Sequence, residues 1–508
     1  MDLITTSFFK HLLSIPASEP LPEISKLIYH LNINRGGLGI VNPSFRAAPD
    51  FVLNMMMCKR RSRRGFHINN DIKPVYLHQS ITDLYDIDHN NTSTCLQIYQ
   101  GLLPHIGTLC CSPKMSDDEK LPMFESNISL KSARDRLKKA IGSISLSQIY
   151  MDTFNTNKEL LLLLPSMLSP QTSYPLIGMC RSKIQHRLPN WITELALKRK
   201  LRVPIFPAQP PICKCGIQHD KYGDHSFKCN RISKKQGHNI IRDCWAEALQ
   251  PALATAGYIR HTTKLDIERR HINTRDISAQ PFDICFDPDP PTSSSNHIHC
   301  PYTTIGADIT IGNCRSKFPS RFNRSADVIT SISALADKHL QTFERKKFKR
   351  ADKVNTHTAE SIRGDEVMED LVNNNMILLP LALDSFGRWG LTMQNFLFHT
   401  ATTPCYKFKN NAPNAAIMAF KATTPPCPLG ILQSADVIWK KTQNRPFYGH
   451  SYTAPTPSLH TIQQLGLGIT KGLMTTLRHA INISTPRHAT EETSGSNSHR
   501  QSYVDSTS

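Results

Sequence analysis

The stretch from Cys213 to Asn239 reads CKCGIQHDKYGDHSFKCNRISKKQGHN and constrains the fold more than any other segment, because it crowds metal-type ligands into a short loop. Cys213, Cys215, His225 and Cys229 are separated by one, nine and three residues, and Gly216, Gly223 and Asp224 supply the turns that a tight loop around an ion requires. Zinc favours four such soft or imidazole ligands in a closed tetrahedron. A structural zinc knuckle is therefore expected over residues 206–237. The first cysteine pair is closer than the usual two to four intervening residues, so His219 is an alternative to one of its members. The competing reading is a set of unconnected cysteines in a reduced protein.

A basic run leads from the knuckle into His238 and Asn239, and bulk charge points the same way. The chain carries 60 Lys and Arg against 41 Asp and Glu, a formal charge of +19, which favours a polyanionic partner through counterion release. The cations cluster in KRRSRR (59–64), RSKIQHR (181–187), LKRKLR (197–202), ERRHINTR (268–275) and ERKKFKR (344–350). One such run is usually a solvated helix face. Five of them argue for nucleic acid, with Lys234, Lys235 and Arg242 beside His238 and Asn239 as contacts. His238 and Asn239 open a helix, where they either touch a phosphate or cap the first turn.

At 508 residues the chain has room for several domains. Residues 1–65 hold a helix over Ile24–Leu31, a glycine-broken turn in NRGGLGIVNP and a second apolar helix through Phe51, Val52, Met55 and Met56. Gly36, Gly37 and Gly39 do not make a phosphate loop, because no strand leads in and no lysine follows in place. Residues 66–205 read as a mostly α-helical linker region, with apolar periodicity over 128–150 and 189–201. Proline punctuation at 204–211 marks a boundary. Beyond the knuckle, helical periodicity over 238–255 gives way to strand patterns at 281–287 and 303–312, a helix over 326–348 and an apolar strand at 376–383. Strands alternating with helices indicate an α/β core, here over 238–400. A C-terminal extension over 401–483 and a disordered Ser-, Thr- and His-rich tail over 484–508 complete the expected organisation.

Asp283 and Asp308 each interrupt an apolar strand pattern, where a charge is costly without a partner. Two carboxylates on neighbouring strands make a hard-oxygen site for magnesium, and such an ion activates water and offsets charge in phosphodiester cleavage. A lysine two residues after the second carboxylate would share its face, but that position is Thr310. The cation can instead come from the following helix. Its apolar stripe of Ile332, Ala336, Leu340 and Phe343 continues at about 100° per residue to Lys347, whereas Lys338 falls on the opposite face. Glu344, one turn earlier, is a further candidate metal ligand or a partner for Lys347. The alternative is a solvated helix end whose cations suit the C-terminal dipole.

The order of these features resembles the C-terminal half of non-LTR retrotransposon proteins that carry a restriction-enzyme-like endonuclease, especially site-specific elements inserting into ribosomal RNA genes. The matching residues are Cys213, Cys215, His225, Cys229, His238, Asn239, Asp283 in QPFD, Asp308 in IGADIT, and Lys347 with Phe348 in KKF, over about residues 205–400. NRGGLGIVNPSFRA (34–47) is similar to the region after the polymerase core of retroelement reverse transcriptases, near the thumb. The resemblance implies a restriction-endonuclease-like α/β core, a mixed sheet flanked by helices, preceded by a mostly α-helical region. It also implies structural zinc, catalytic magnesium, DNA and element RNA as partners, nuclear localisation, and nicking of target DNA to prime reverse transcription.

Several departures bear on activity. Asp283 stands in PFD rather than Pro-Asp, Phe348 replaces the family's common tyrosine, and the cysteine pair is short. YDID at 85–88 has the wrong order for a polymerase motif, so polymerase activity is not expected. The start MDLITTSFFKHLL has neither a basic leader nor a small-residue cleavage site, which predicts reduced thiols in nucleus or cytoplasm. The longest apolar run, from Leu160, is broken by Pro165 and too short for a bilayer, so no membrane role is expected. The alternative function is a catalytically inactive, zinc-dependent nucleic-acid-binding fragment of a decayed retroelement.

Overall fold

The computed structural model describes residues 2–40, 130–175, 188–206, 209–260, 262–268, 282–288, 303–314, 328–350, 374, 376–398, 430–442 and 456–484. The helix expected through Phe51–Met56, the thumb-like similarity beyond residue 40, YDID and the C-terminal tail all lie outside these residues. The described chain begins with α1 (Asp2–Leu12), α2 (Glu23–His30), α3 (Leu130–Thr156), α4 (Lys158–Met167) and α5 (Asn190–Lys200). Of these, α2, α3 and α5 lie where helices are expected from the sequence. Asn157 starts α4 by accepting the Leu160 amide at 2.9 Å, which satisfies one orphan donor of the first turn. Between α2 and the rest of this layer, Gly36 turns the chain in the left-handed region at φ +76°, and a Cβ there would collide with the Leu168 backbone.

Past the cysteine loop come the short α6 (His225–Lys228) and the long α7 (Lys235–Thr255), then strands β1 (Asp266–Ile267), β2 (Ile284–Phe286) and β3 (Thr304–Gly312). Helix α8 (Val328–Arg350) leads to β4 (Met376–Asp384), followed by α9 (Leu391–Leu397), α10 (Ile431–Thr442) and α11 (Pro457–Ser484). The strands form one mixed sheet in the order β1-β2-β3-β4. β1 to β3 are antiparallel neighbours, while β3 and β4 run parallel with Asp308 opposite Pro380. Pro380 lacks an amide to donate, and β4 tolerates it as an edge strand. The fold is thus mixed α/β, a small four-stranded sheet flanked by helices.

The sheet's two faces separate two cores. On one, Ile305, Ala307 and Ile309 of β3 and Leu379, Leu381 and Leu383 of β4 join α7, α10 and α11. Helix α7 offers Ile241, Trp245, Leu249, Ala252 and Leu253 on one stripe, all buried. Each of these isoleucine and leucine side chains contributes about 1.5–3 kcal/mol on removal from water. Helix α11 answers with Leu465, Ile469, Leu473 and Leu477, one per turn. The two backbones approach closely at Gly237 and Gly472, where an added Cβ would overlap the opposing helix. Residues 401–483, set apart as an extension by their sequence, therefore contribute α10 and α11 to the same core as the strands.

On the other face Phe343 of α8 lies over Gly312 of β3. Ile332 of α8 reaches a second core built by Phe9, Leu13, Tyr29, Ile149, Leu161 and Leu164 from the N-terminal helices. Helix α8 turns Leu340 and Glu344 inward and Lys338 outward, as its periodicity requires.

Candidate metal centre and adjoining acidic site

Cys213, Cys215, His225 and Cys229 converge, with one ligand atom from each lying within 4.8 Å of all the others. The loop achieves this locally. Cys213 donates its amide to Ile217 at 2.9 Å, Gly216 donates to Cys213 at 2.8 Å in the left-handed conformation at φ +84°, and Ile212 bridges Gln218. The short Cys-x-Cys pair thereby sits at the tip of a tight hairpin. Asp220 then gathers the chain toward the fourth corner, accepting the amides of Tyr222, Asp224 and His225 at 2.9, 3.1 and 2.6 Å.

The donor set fits a tetrahedral ion. Bonds of about 2.3 Å from zinc to two sulfurs place those sulfurs about 3.8 Å apart, and Cys213 Sγ stands 3.6 Å from Cys229 Sγ. Cys215 Sγ lies 3.3 Å from His225 Nε2. Burial holds the His225 imidazole below its ordinary value despite Asp220, which favours the neutral form that ligates metals. Burial opposes ionisation of Cys229, yet the Arg231 amide and the neighbouring thiols pull its thiol down. The alternative ligand His219 is not in the cluster; its ring stacks on Phe206 and stands edge-on to His225.

A buried ionic hub anchors this loop. Asp224 accepts from Arg199 Nη2 at 3.1 Å and Arg202 Nη1 at 2.9 Å. The Arg199 guanidinium lies between the rings of Phe227 and Phe386, at 4.1 and 4.3 Å from their centroids. The LKRKLR run is accordingly not a nucleic-acid-facing stripe, because Arg199, Lys200 and Arg202 are all turned inward. A charge run alone does not reveal this; the partners Asp224 and Phe386 are remote in sequence. Asp220, whose Asp-x-x-Gly setting is a turn signal, and Arg199 are the structural residues that sequence reasoning missed.

One helical turn into α7, a second polar cluster meets the sheet. The ladder breaks just before β2, where the Asp283 amide donates to Ala307 at 2.9 Å. Asp283 Oδ2 accepts the Ile309 amide at 2.6 Å in place of a strand partner. His238 Nε2 lies 3.2 Å from the same Oδ2 and 3.0 Å from the Ile309 carbonyl. Burial opposes charge on Asp283, but His238, the Ile309 amide and a hydrogen bond with Asp308 together hold its carboxyl below the usual range. Burial likewise opposes the His238 imidazolium, and Asp283, Ile309 and Asn239 outweigh it to raise the imidazole above its ordinary value. Asp283, Asp308 and His238 thus form one connected group.

The remaining expected residues are dispersed. Helix α7 begins at Lys235, with Lys234 at its cap position and no side-chain cap, so neither His238 nor Asn239 caps it. Lys234 donates to the Phe227 carbonyl at 2.6 Å, which fastens α7 to the knuckle. Arg242 is buried and ion-paired with Asp243 and Glu268, while Lys235 is exposed. Glu344 is fully buried, and its Oε1 accepts the Thr392 amide at 3.1 Å at the start of α9. That carboxylate is engaged between α8 and α9. Lys347 falls within α8, but its side chain lies outside the described residues.

No protein-family model matches the chain, and no curated protein or solved structure matches it either. Among the described residues no helix is long and apolar enough to cross a membrane.

Proposed function

We propose that the chain is the metal-dependent DNA endonuclease portion of a non-LTR retrotransposon protein, nicking target DNA to prime reverse transcription. The observation that carries this reading is the meeting of Asp283 and Asp308 at the sheet, with His238 reaching Asp283 from the helix that leaves the Cys3His cluster. Asp283 and Asp308 would hold magnesium, which supplies Lewis-acid activation of water and charge compensation at a phosphodiester. His238 and the Ile309 amide fix the carboxylate's orientation, and Lys347 is the candidate cation for the scissile phosphate. The Cys3His cluster holds zinc and acts as a clamp on nucleic acid. The formal charge of +19 suits DNA and element RNA as partners and work in the nucleus.

Purified full chain is expected to convert supercoiled plasmid to the nicked form only with magnesium or manganese, and Asp308→Asn to abolish this. Equal nicking by Asp308→Asn would refute the assignment.

A second reading, a catalytically inactive zinc-dependent nucleic-acid-binding fragment, is favoured by two observations. Asp283 is already satisfied by protein partners, and Thr310 stands where a lysine would serve best. DNA binding that is lost on Cys229→Ser, with no nicking under any divalent ion, would select it.

A further inference from the structure

A cavity of about 60 Å³ lies where α4, α5, α11 and the turn after β4 meet. Leucine and methionine side chains make much of its wall, but Arg199, Lys200, Thr193, Ser385 and Thr470 also line it. The two cations are adjacent at the end of α5 and are both buried.

Their donors exceed their acceptors. Arg199 spends Nη2 on Asp224 and Ser385, both at 3.1 Å, while its buried Nε and Nη1 have no acceptor among the described residues. Lys200 Nζ donates to the Met167 carbonyl at 3.2 Å and to Thr172 Oγ1 at 2.7 Å, two of the three bonds an ammonium can make. Charge is likewise unbalanced. Arg199 and Arg202 share Asp224, Arg199 also feels Asp384, whose Oδ1 already accepts the amides of Phe386 and Arg388, and Lys200 has no carboxylate partner among the described residues. Burial pushes the Lys200 ammonium down to about 7, with no carboxylate opposing the shift. Bound water would satisfy the spare N–H groups but would leave Lys200 prone to lose its proton. An anion would satisfy the same donors and hold Lys200 as the ammonium.

We propose that this cavity binds a small oxyanion of the phosphate type through Arg199 and Lys200. The hydroxyls of Ser385 and Thr470 on the same wall can donate to its remaining oxygens. About 10–15 Å³ of such space holds one water, so the cavity takes a few waters or one tetrahedral oxyanion. Any sugar or base attached to that oxyanion lies outside it. The site is separate from Asp283 and Asp308 and does not depend on the endonuclease reading.

The test is calorimetric titration of the full chain with sodium phosphate at constant ionic strength, with thymidine 5′-monophosphate and thymidine as further arms. Saturable binding of phosphate is expected, weakened at least about tenfold in Lys200→Met, which removes a charge-assisted donor while keeping the stem volume. Lys200→Gln repeats the comparison with a donor retained for Thr172, should the methionine variant not fold. Binding of phosphate alone identifies a free ion as the ligand. Binding of the nucleotide as well, but not of thymidine, identifies a terminal nucleic-acid phosphate. Absence of saturable binding up to about 10 mM phosphate, or unchanged binding in both lysine variants, overturns the proposal.

Discussion

Replacing Asp224 by alanine should destabilise the whole chain, because this one carboxylate holds two arginines at the junction of α5 with the cysteine loop. Arg199 is 2% exposed, so its guanidinium has no recourse to water when its partner is removed. Charges about 4 Å apart at an effective dielectric near 20 attract by about 4 kcal/mol. Breaking a buried pair from one side costs about 3–5 kcal/mol, since a naked charge remains. Ser385 Oγ and the flanking rings of Phe227 and Phe386 offset only part of that loss. Urea unfolding should therefore show a lowered midpoint with an unchanged slope. Arg199→Met in the same background should recover stability, giving a coupling energy above about 1 kcal/mol in a double-mutant cycle. Arg202→Met should cost less, because Arg202 is less deeply buried and also rests 3.9 Å over the Tyr222 ring. A loss below about 1 kcal/mol for Asp224→Ala, or additive effects of the two substitutions, would refute the view that this hub anchors the knuckle.

Cys229→Ser should abolish the one equivalent of zinc expected from a single Cys3His cluster, as read by elemental analysis of the purified chain; retention of that equivalent would exclude Cys229 as a ligand. His238→Ala should change how stability depends on pH. The lowered Asp283 carboxyl contributes above its ordinary 3.8 and loses that contribution as pH falls through the folded value. The raised His238 imidazolium contributes fully below 6.5 and fades as pH rises through its folded value, so the pair is strongest between those limits and the variant should lack the alkaline decline in thermal unfolding. Gly237→Ala should lower stability by about 1–3 kcal/mol through overpacking, because the new methyl would meet Thr476 and the Gly472 carbonyl, and backbone cannot swing aside. An unchanged melting temperature would mean that α7 and α11 are less closely apposed than described.

The parts of this architecture that were legible in the sequence are those whose cause is local. Helices α7 and α8 follow from hydrophobic period, strands β3 and β4 from short apolar runs, and the ligand set from four residues within one loop. That His219 does not replace a member of the Cys213–Cys215 pair was not legible, because it depends on the His219 ring stacking on Phe206 away from the cluster. The inward turn of LKRKLR was hidden for a different reason. Long cations prefer water unless a partner and packing rings are supplied, and here these come from Asp224, Phe227 and Phe386. Glu344 was partly legible. Its position on the apolar stripe of α8 predicts burial, but the Thr392 amide that donates to it is 48 residues away.

The first turn of α7 explains why the cysteine loop and the acidic cluster belong to one structural unit. Lys234 fixes the helix start to the Phe227 carbonyl, within the segment between His225 and Cys229. Gly237 then lets the helix lie against α11, and His238 reaches Asp283 and the Ile309 carbonyl. From Lys234 to His238 the helix rises about 6 Å at 1.5 Å per residue. Any displacement of the loop is therefore transmitted over a single turn of hydrogen-bonded backbone, too short and stiff to absorb it. The sulfur ligands and the acidic residues are chemically unlike, soft and closed on one side, hard and partnered by imidazole on the other. Their connection is mechanical: a metal that fixes Cys229 and His225 also fixes the register from which His238 orients the Asp283 carboxylate.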